Sequence, residues 1–142
     1  MCIRDSTCGV VDAVESRQAS SGPGVLAGHA PFPSTVVIHL GTNGTVATAD
    51  MDGMLSSLQG VDRVVLVTVQ HNGNRSWEGQ ANGEISAAAA RWPNARVADW
   101  KGYSDGHPEW FAGDGIHLSS SGAQAYADVI AGPRTSTGSH SE

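Results

Sequence analysis

An α/β fold, a parallel sheet with helices on both faces, is what this sequence predicts, and three observations carry the prediction. Two continuous runs of apolar, largely β-branched residues, Thr35–Leu40 and Val61–Val69, are the signature of strands covered on both faces. The segments that alternate with them carry apolar residues at helical spacing. A glycine-rich turn, Gly41-Thr42-Asn43-Gly44, follows the first run directly, at the carboxyl end of a strand, where such sheets bind ligands.

Taken in order, Thr7–Val11 reads as a short strand ending at Asp12. Glu15–Gly24 is polar and glycine-rich and reads mostly as loop. A short helical piece at Val25–His29 follows, and Pro31 and Pro33 then break the chain. After the Thr35–Leu40 strand, Met51, Met54, Leu55 and Leu58 share one face of a helix over Val46–Leu58, closed by Gly60. The Val61–Val69 strand leads into a polar loop, His71–Gly79, that holds Arg75 and Trp77. A helix over Gln80–Trp92 sets Ala81, Ile85, Ala88 and Trp92 on one face and stops at Pro93. Ala95–Trp100 is a short strand, and the loop after it holds Tyr103, His107, Trp110 and Asp114. Ser119 and Ser121 both offer an N-cap to the last helix, Ser121 as a capping box with Gln124. Ala123, Tyr126, Ala127 and Ile130 form that helix's apolar face, and residues 132–142 read as a disordered tail. Strands alternating with helices imply the parallel arrangement.

Length and composition set bounds on function. The chain has 142 residues, enough for one domain with a real core. A net charge of −6 with only eight Lys and Arg argues against a nucleic-acid surface. No apolar run approaches the length of a membrane span. Cys2 and Cys8 are too few for a disulfide scaffold and lack metal-site spacing. Met1–Ser6 resembles the translated remnant of a sequencing adapter, so these residues are set aside and residues 7–131 are read as the domain.

Chemistry enters with Asp114 and His117, in the run Gly113-Asp114-Gly115-Ile116-His117-Leu118. A carboxylate three residues ahead of a histidine can hold the imidazole in one tautomer and stabilise its protonated form. Alone, the spacing is better read as a loop aspartate capping a turn beside a surface histidine, and it is the serine-rich helix start after it that favours the catalytic reading. Asn43 has two readings as well: a left-handed residue in a tight turn, or an amide donor to a developing oxyanion. The turn lacks the lysine of a phosphate-binding loop and the spacing of a dinucleotide fingerprint, which disfavours a flavodoxin-like nucleotide module. His39 reads as a satisfied core histidine, and His107-Pro108-Glu109-Trp110 as a structural turn beside the site. Trp92, Trp100 and Trp110 fit packing roles.

Together these pieces resemble the SGNH-hydrolase superfamily, also called GDSL esterases. That family orders a Gly-Asp-Ser nucleophile turn, a glycine, a Gly-x-Asn turn and a C-terminal Asp-x-x-His. Gly41-Thr42-Asn43 matches the third block and Asp114 to His117 the fourth. More narrowly, the chain resembles the extracytoplasmic domain appended to acyltransferase-3 membrane proteins of the peptidoglycan O-acetylating type. The phrases that carry this are Val11–Gln18, Val37–Gly44, Val97–Trp100, His107–Trp110 and Asp114–Leu118. The resemblance implies a three-layer, flavodoxin-like fold with a parallel sheet, missing its first strand and nucleophile turn. It implies His117 as general base, Asp114 as its orienting acid, and Asn43 with the Ser16 backbone N–H as the oxyanion hole. It also implies Arg17, Trp77 and Trp110 as glycan-lining residues, an acyl donor with a glycan or other hydroxyl acceptor, an upstream membrane acyltransferase domain, and no cofactor or metal. The second block's glycine falls at Ser16, and the first block is absent, since no Gly-Asp-Ser occurs in the sequence. The expectation is a domain shorn of its nucleophile; the alternative is a glycan-binding pseudoenzyme of the same fold.

Overall fold

The computed structural model describes residues 18–41, 44–70, 76–113 and 117–135, and the side chains of these up to Ala131. The strand expected at Thr7–Val11, along with Cys2 and Cys8, lies outside the described residues. Among the described residues, three parallel strands form one sheet in the order β1 (Thr35–Ile38), β2 (Arg63–Val67) and β3 (Ala95–Ala98). Thr35 pairs with Arg63 and Ile38 with Leu66; Val64 pairs with Ala95 and Val67 with Ala98.

The alternation of β2 explains why its sequence is apolar throughout. Val64 and Leu66 face one core, shared with Ile38 and with Met51, Met54, Leu55, Ala81, Ile85 and Ala88. Those partners come from α2 (Thr48–Ser57) and α3 (Glu78–Arg91). Val65 and Val67 face a second core with Ala98, Trp100, Phe111 and Ala125, Tyr126 and Ile130 of α5 (Ser120–Thr135). Helices on both sides of a parallel sheet are the three-layer arrangement the alternation of elements implied. Wholly buried side chains such as Leu55, Leu58 and Leu66 each contribute about 1.5–3 kcal/mol. β1 is less enclosed than its sequence suggests. Val37, on the strand face away from Val36 and Ile38, is 37% exposed, because α5 packs over β2 and β3.

Several boundaries differ from the sequence reading. Ala19–Ser21 forms a 3-10 turn that runs into α1 (Gly22–Ala27), where a loop was expected up to Gly24. Pro23 sits in the first turn of α1, where its missing N–H costs nothing and its fixed φ favours the helix. α3 starts at Glu78, two residues early. The loop after β3 contains α4 (Trp100–Ser104), capped by the Asp99 side chain accepting from the Gly102 N–H at 3.1 Å, and a 3-10 turn at Pro108–Trp110. α5 continues to Thr135 through Gly132 and Pro133; so near the helix end, Pro133 forfeits only one backbone bond.

Candidate active site

Backbone pairing holds His117 against the chain that precedes it. Phe111 and Leu118 form an isolated antiparallel bridge, and the Ala112 N–H donates to the His117 carbonyl at 2.7 Å. His117 is thereby held beside Ala112, and it is exposed. Immediately after, Ser119 caps α5: its Oγ accepts from the Gly122 N–H at 3.1 Å and donates to the Glu109 carbonyl at 2.7 Å. Ser119, not Ser121, is therefore the cap. The expected Ser121–Gln124 capping box is absent, because the Gln124 amide reaches forward to Asp128 at 3.2 Å. The Ser119 N–H also donates to the Trp110 carbonyl. Gly122 sits so close to that carbonyl that a Cβ would overlap it and would lie 2.7 Å from its carbon. This approach fixes the start of α5, and with it His117, against the 3-10 turn.

That turn rests on rings. Trp110 stacks with His107 (centroids 3.9 Å, 6° apart) and with Trp100 (5.8 Å), and lies 5.4 Å from Tyr103. Trp100 meets Tyr126 edge-on, and Tyr126 stacks with His39 just past the end of β1. His39 Nδ1 and the Tyr126 hydroxyl share a hydrogen bond of 2.6 Å. Burial pushes the Tyr126 hydroxyl pKa above its ordinary value, so the group is neutral at physiological pH. The His107 side chain, 2.8 Å from Glu109, holds that carboxyl below its usual range. His107-Pro108-Glu109-Trp110 is the structural turn its sequence suggested, and Trp110 is half-buried in packing.

The segment after β1 begins its turn at Gly41, whose φ of +113° only glycine adopts without strain. A Cβ there would lie 3.1 Å from both Ala81 and Val69 side chains. The Trp77 indole N–H donates to the Gly41 carbonyl at 3.1 Å. Beyond the turn, Gln80 grips Val46 with its side-chain amide: the Val46 N–H donates to Oε1 at 2.8 Å and Nε2 donates to the Val46 carbonyl at 2.6 Å. Asn82 makes the same two-way contact with Val69, past the end of β2 (2.7 and 2.9 Å). Between β2 and β3, Thr68 donates to Asp99 and accepts from the Lys101 N–H, while the Lys101 ammonium pairs with the buried Glu78.

Of the residues singled out in the sequence, His117, Trp77 and Trp110 are described. Ser16, Arg17, Asn43 and Asp114 lie outside the described residues. Gln80, Asn82, Ser119 as sole cap, and the His39–Tyr126 pair emerge only from the structure. Among the described residues no group of three or more His, Cys, Asp or Glu could hold a metal ion, and no helix is long and apolar enough to cross a membrane.

The arrangement has known counterparts. The fold resembles a carbohydrate esterase family 3 structure from Talaromyces cellulolyticus (TM-score 0.70, 20% identity, 84% of this chain and 67% of that one). It also resembles a lipase/acylhydrolase from Enterococcus faecalis (TM-score 0.65, 20% identity, 83% and 70%). In sequence, the chain is 32% identical over 123 residues to the peptidoglycan O-acetyltransferase OatA of Listeria monocytogenes, covering 84% of this chain and 19% of that protein. It is 40% identical over 95 residues to the O-acetyltransferase OatA of Staphylococcus aureus, covering 67% and 15%. The chain belongs to the SGNH-hydrolase superfamily. No protein-family model matches it. This SGNH chain spans less than a fifth of the length of the curated relatives it matches, 19% and 15%.

Proposed function

We propose that this SGNH domain takes part in O-acyl, specifically acetyl, transfer or ester hydrolysis on cell-envelope glycan, supplying the base and the oxyanion donors of a Ser-His-Asp site. The observation that carries the reading is the seating of His117 by the Ala112–His117 backbone bond, the Phe111–Leu118 bridge and the Ser119 cap of α5. The order of Gly41-Thr42-Asn43 and Asp114 to His117, and the similarity to the two O-acetyltransferases, support it.

In this mechanism His117 accepts the serine Oγ proton as that oxygen attacks an acetyl carbonyl carbon. Asp114 orients the imidazole and stabilises its cation. The tetrahedral oxyanion accepts hydrogen bonds from the Asn43 amide and the Ser16 N–H. Collapse breaks the bond to the donor alcohol, which leaves with the proton returned by His117. A sugar hydroxyl or water, deprotonated by the same imidazole, then attacks the acetyl carbon; the bond to the serine Oγ breaks, and His117 returns the proton to that oxygen. Arg17, Trp77 and Trp110 line the acceptor side. The serine comes from a Gly-Asp-Ser turn that the 142 residues do not contain, in a protein whose upstream part is a membrane acyltransferase domain. The site faces the outside of the membrane, and neither metal nor cofactor takes part.

Two measurements test this. Ring-nitrogen NMR on the chain should show His117 in one dominant tautomer that Asp114→Asn disperses; an unchanged tautomer balance rejects the pair. Genomic sequence upstream of Thr7 should encode a Gly-Asp-Ser some tens of residues earlier, preceded by several membrane spans. A genuine start codon near Met1 would instead favour a glycan-binding pseudoenzyme, a reading that the missing Gly-Asp-Ser also suits.

A further inference from the structure

We infer that the first turn of α3 is a template for the oxyanion turn, with Trp77 and Gln80 as positioning residues for the segment between Gly41 and Val46. The catalytic meaning of this rests on the acyl-transfer reading above; the mechanical part stands on geometry alone.

The Trp77 indole N–H holds the Gly41 carbonyl at 3.1 Å, on the inbound limb of the turn. The Gln80 amide holds both the N–H and the carbonyl of Val46, on the outbound limb. A primary amide presenting a donor and an acceptor side by side matches a peptide group as a neighbouring strand would. Val46 is fully buried, so its backbone groups have no water to fall back on. Trp77 and Gln80 stand three residues apart at the start of α3 and so share one side of that helix. One rigid element thus grips both limbs. Gly41 completes the seat, its Cα pressed towards Ala81, Val69 and Val46 with no room for a side chain.

An oxyanion donor acts by being in place before charge develops, and half an ångström of looseness is enough to spoil it. A turn pinned at one end pivots; pinned at both ends it holds. The Trp77 N–H, the group a sugar oxygen would accept from, is given instead to the backbone at Gly41. Trp77 therefore acts on the acceptor chemistry through the turn.

The test uses the full 142-residue chain with two near-isosteric variants, one for each limb. Trp77→Phe keeps a ring and deletes the N–H; Gln80→Glu keeps the shape and deletes the donor to the Val46 carbonyl. Backbone ¹⁵N relaxation should give order parameters near the rigid value of about 0.85 at Thr42 and Asn43 in the unsubstituted chain, and below about 0.6 in either variant, with β2 unchanged. Unchanged order in both variants overturns the inference, as does a turn already below that value without substitution. Loss of the whole fold in both makes the residues general core supports and overturns it too. In the same samples sodium acetate is titrated against the Asn43 side-chain amide signals. Binding should be at least about tenfold weaker in Trp77→Phe, equivalent to ~1.4 kcal/mol. An ordered turn with no acetate response in the unsubstituted chain rejects the acyl-transfer reading while leaving the mechanical role of Trp77 and Gln80 intact.

Discussion

The turn after β1 is fastened by hydrogen bonds from side chains to backbone, whereas the loop before α5 is fastened by ring stacking, one serine cap and one glycine. The difference follows from what each segment must satisfy. Gly41 and Val46 are buried beyond the end of β1, so their peptide groups need replacement partners, and Trp77 and Gln80 supply them. His117 itself is exposed, and the chain beside it is already paired through Ala112–His117 and Ser119–Trp110. What that loop needs is a platform, and Trp100, Trp110 and Tyr126 provide it through area and shape. Hydrogen bonds give direction to the chain at Gly41 and Val46, and packing gives location to the chain that leads to His117.

The contrast can be broken most forcefully at Gly122. Gly122→Ala places a methyl group in the Trp110 carbonyl, and relief requires the 3-10 turn and α5 to part. A loss of about 2–3 kcal/mol in urea denaturation is expected, with amide shift changes centred on Trp110 to Ser119 and β1 left quiet. A loss below about 0.5 kcal/mol would mean that this contact does not seat the loop. Ser119→Ala removes the cap and the bond to Glu109 and should cost about 1 kcal/mol, again with changes confined to the base side.

Tyr126→Phe sharpens the comparison because Tyr126 reaches from the aromatic platform to His39 at the end of β1. Loss of the hydroxyl should cost about 1 kcal/mol at neutral pH and disturb both sides of the rim. The alkaline behaviour is more telling. The hydroxyl's folded pKa lies above the unfolded value of 10.0, so its stabilising share is intact below pH 10 and is lost as pH rises beyond it. The Phe variant lacks that alkaline loss, and the two thermal-melting curves against pH should converge above pH 10.

The smallest effect is expected far along α3, away from both sides of the rim. Asp52 accepts from the Trp92 indole at 3.0 Å and from Arg91, and these bonds, Trp92's first, hold its carboxyl below the ordinary range. A lowered folded pKa stabilises above the unfolded value and is lost as pH falls through the folded one. Asp52→Asn should therefore matter little at neutral pH once screening at this exposed pair is counted, and should flatten the melting temperature's fall below about pH 4. Neither Asn43 nor His117 signals should move.

Strands and long helices were legible because burial on both faces writes a continuous apolar run, and burial on one helical face writes a period. β2 and the body of α3 are both of this kind. Val37 shows the limit: it is apolar like its neighbours, yet which strand α5 covers is decided by topology. α4 escaped because five residues are too few to show a period, although Asp99 offered the cap. The site divided in the same way. Asp114, His117 and Asn43 are proposed from short motifs, and Asp114 and Asn43 lie outside the described residues, whereas Gln80 and Trp77 act across 34 and 36 residues of chain, and no local pattern records that partnership. Ser121 was a plausible cap by sequence; Ser119 won because Glu109 and Gly122 meet there.

One consequence of the α3 bracket concerns insertions and deletions. Successive residues on a helix are turned by about 100°, since 3.6 complete a turn. Adding one residue inside Trp77–Asn82 would swing the indole or one of the two amides off its target, and the turn between Gly41 and Val46 would lose its mould. Adding several residues to the stretch at 71–75 would leave the helix phase untouched. The domain can thus lengthen or rebuild that stretch without disturbing the grip on Gly41 and Val46, provided that the helix keeps count.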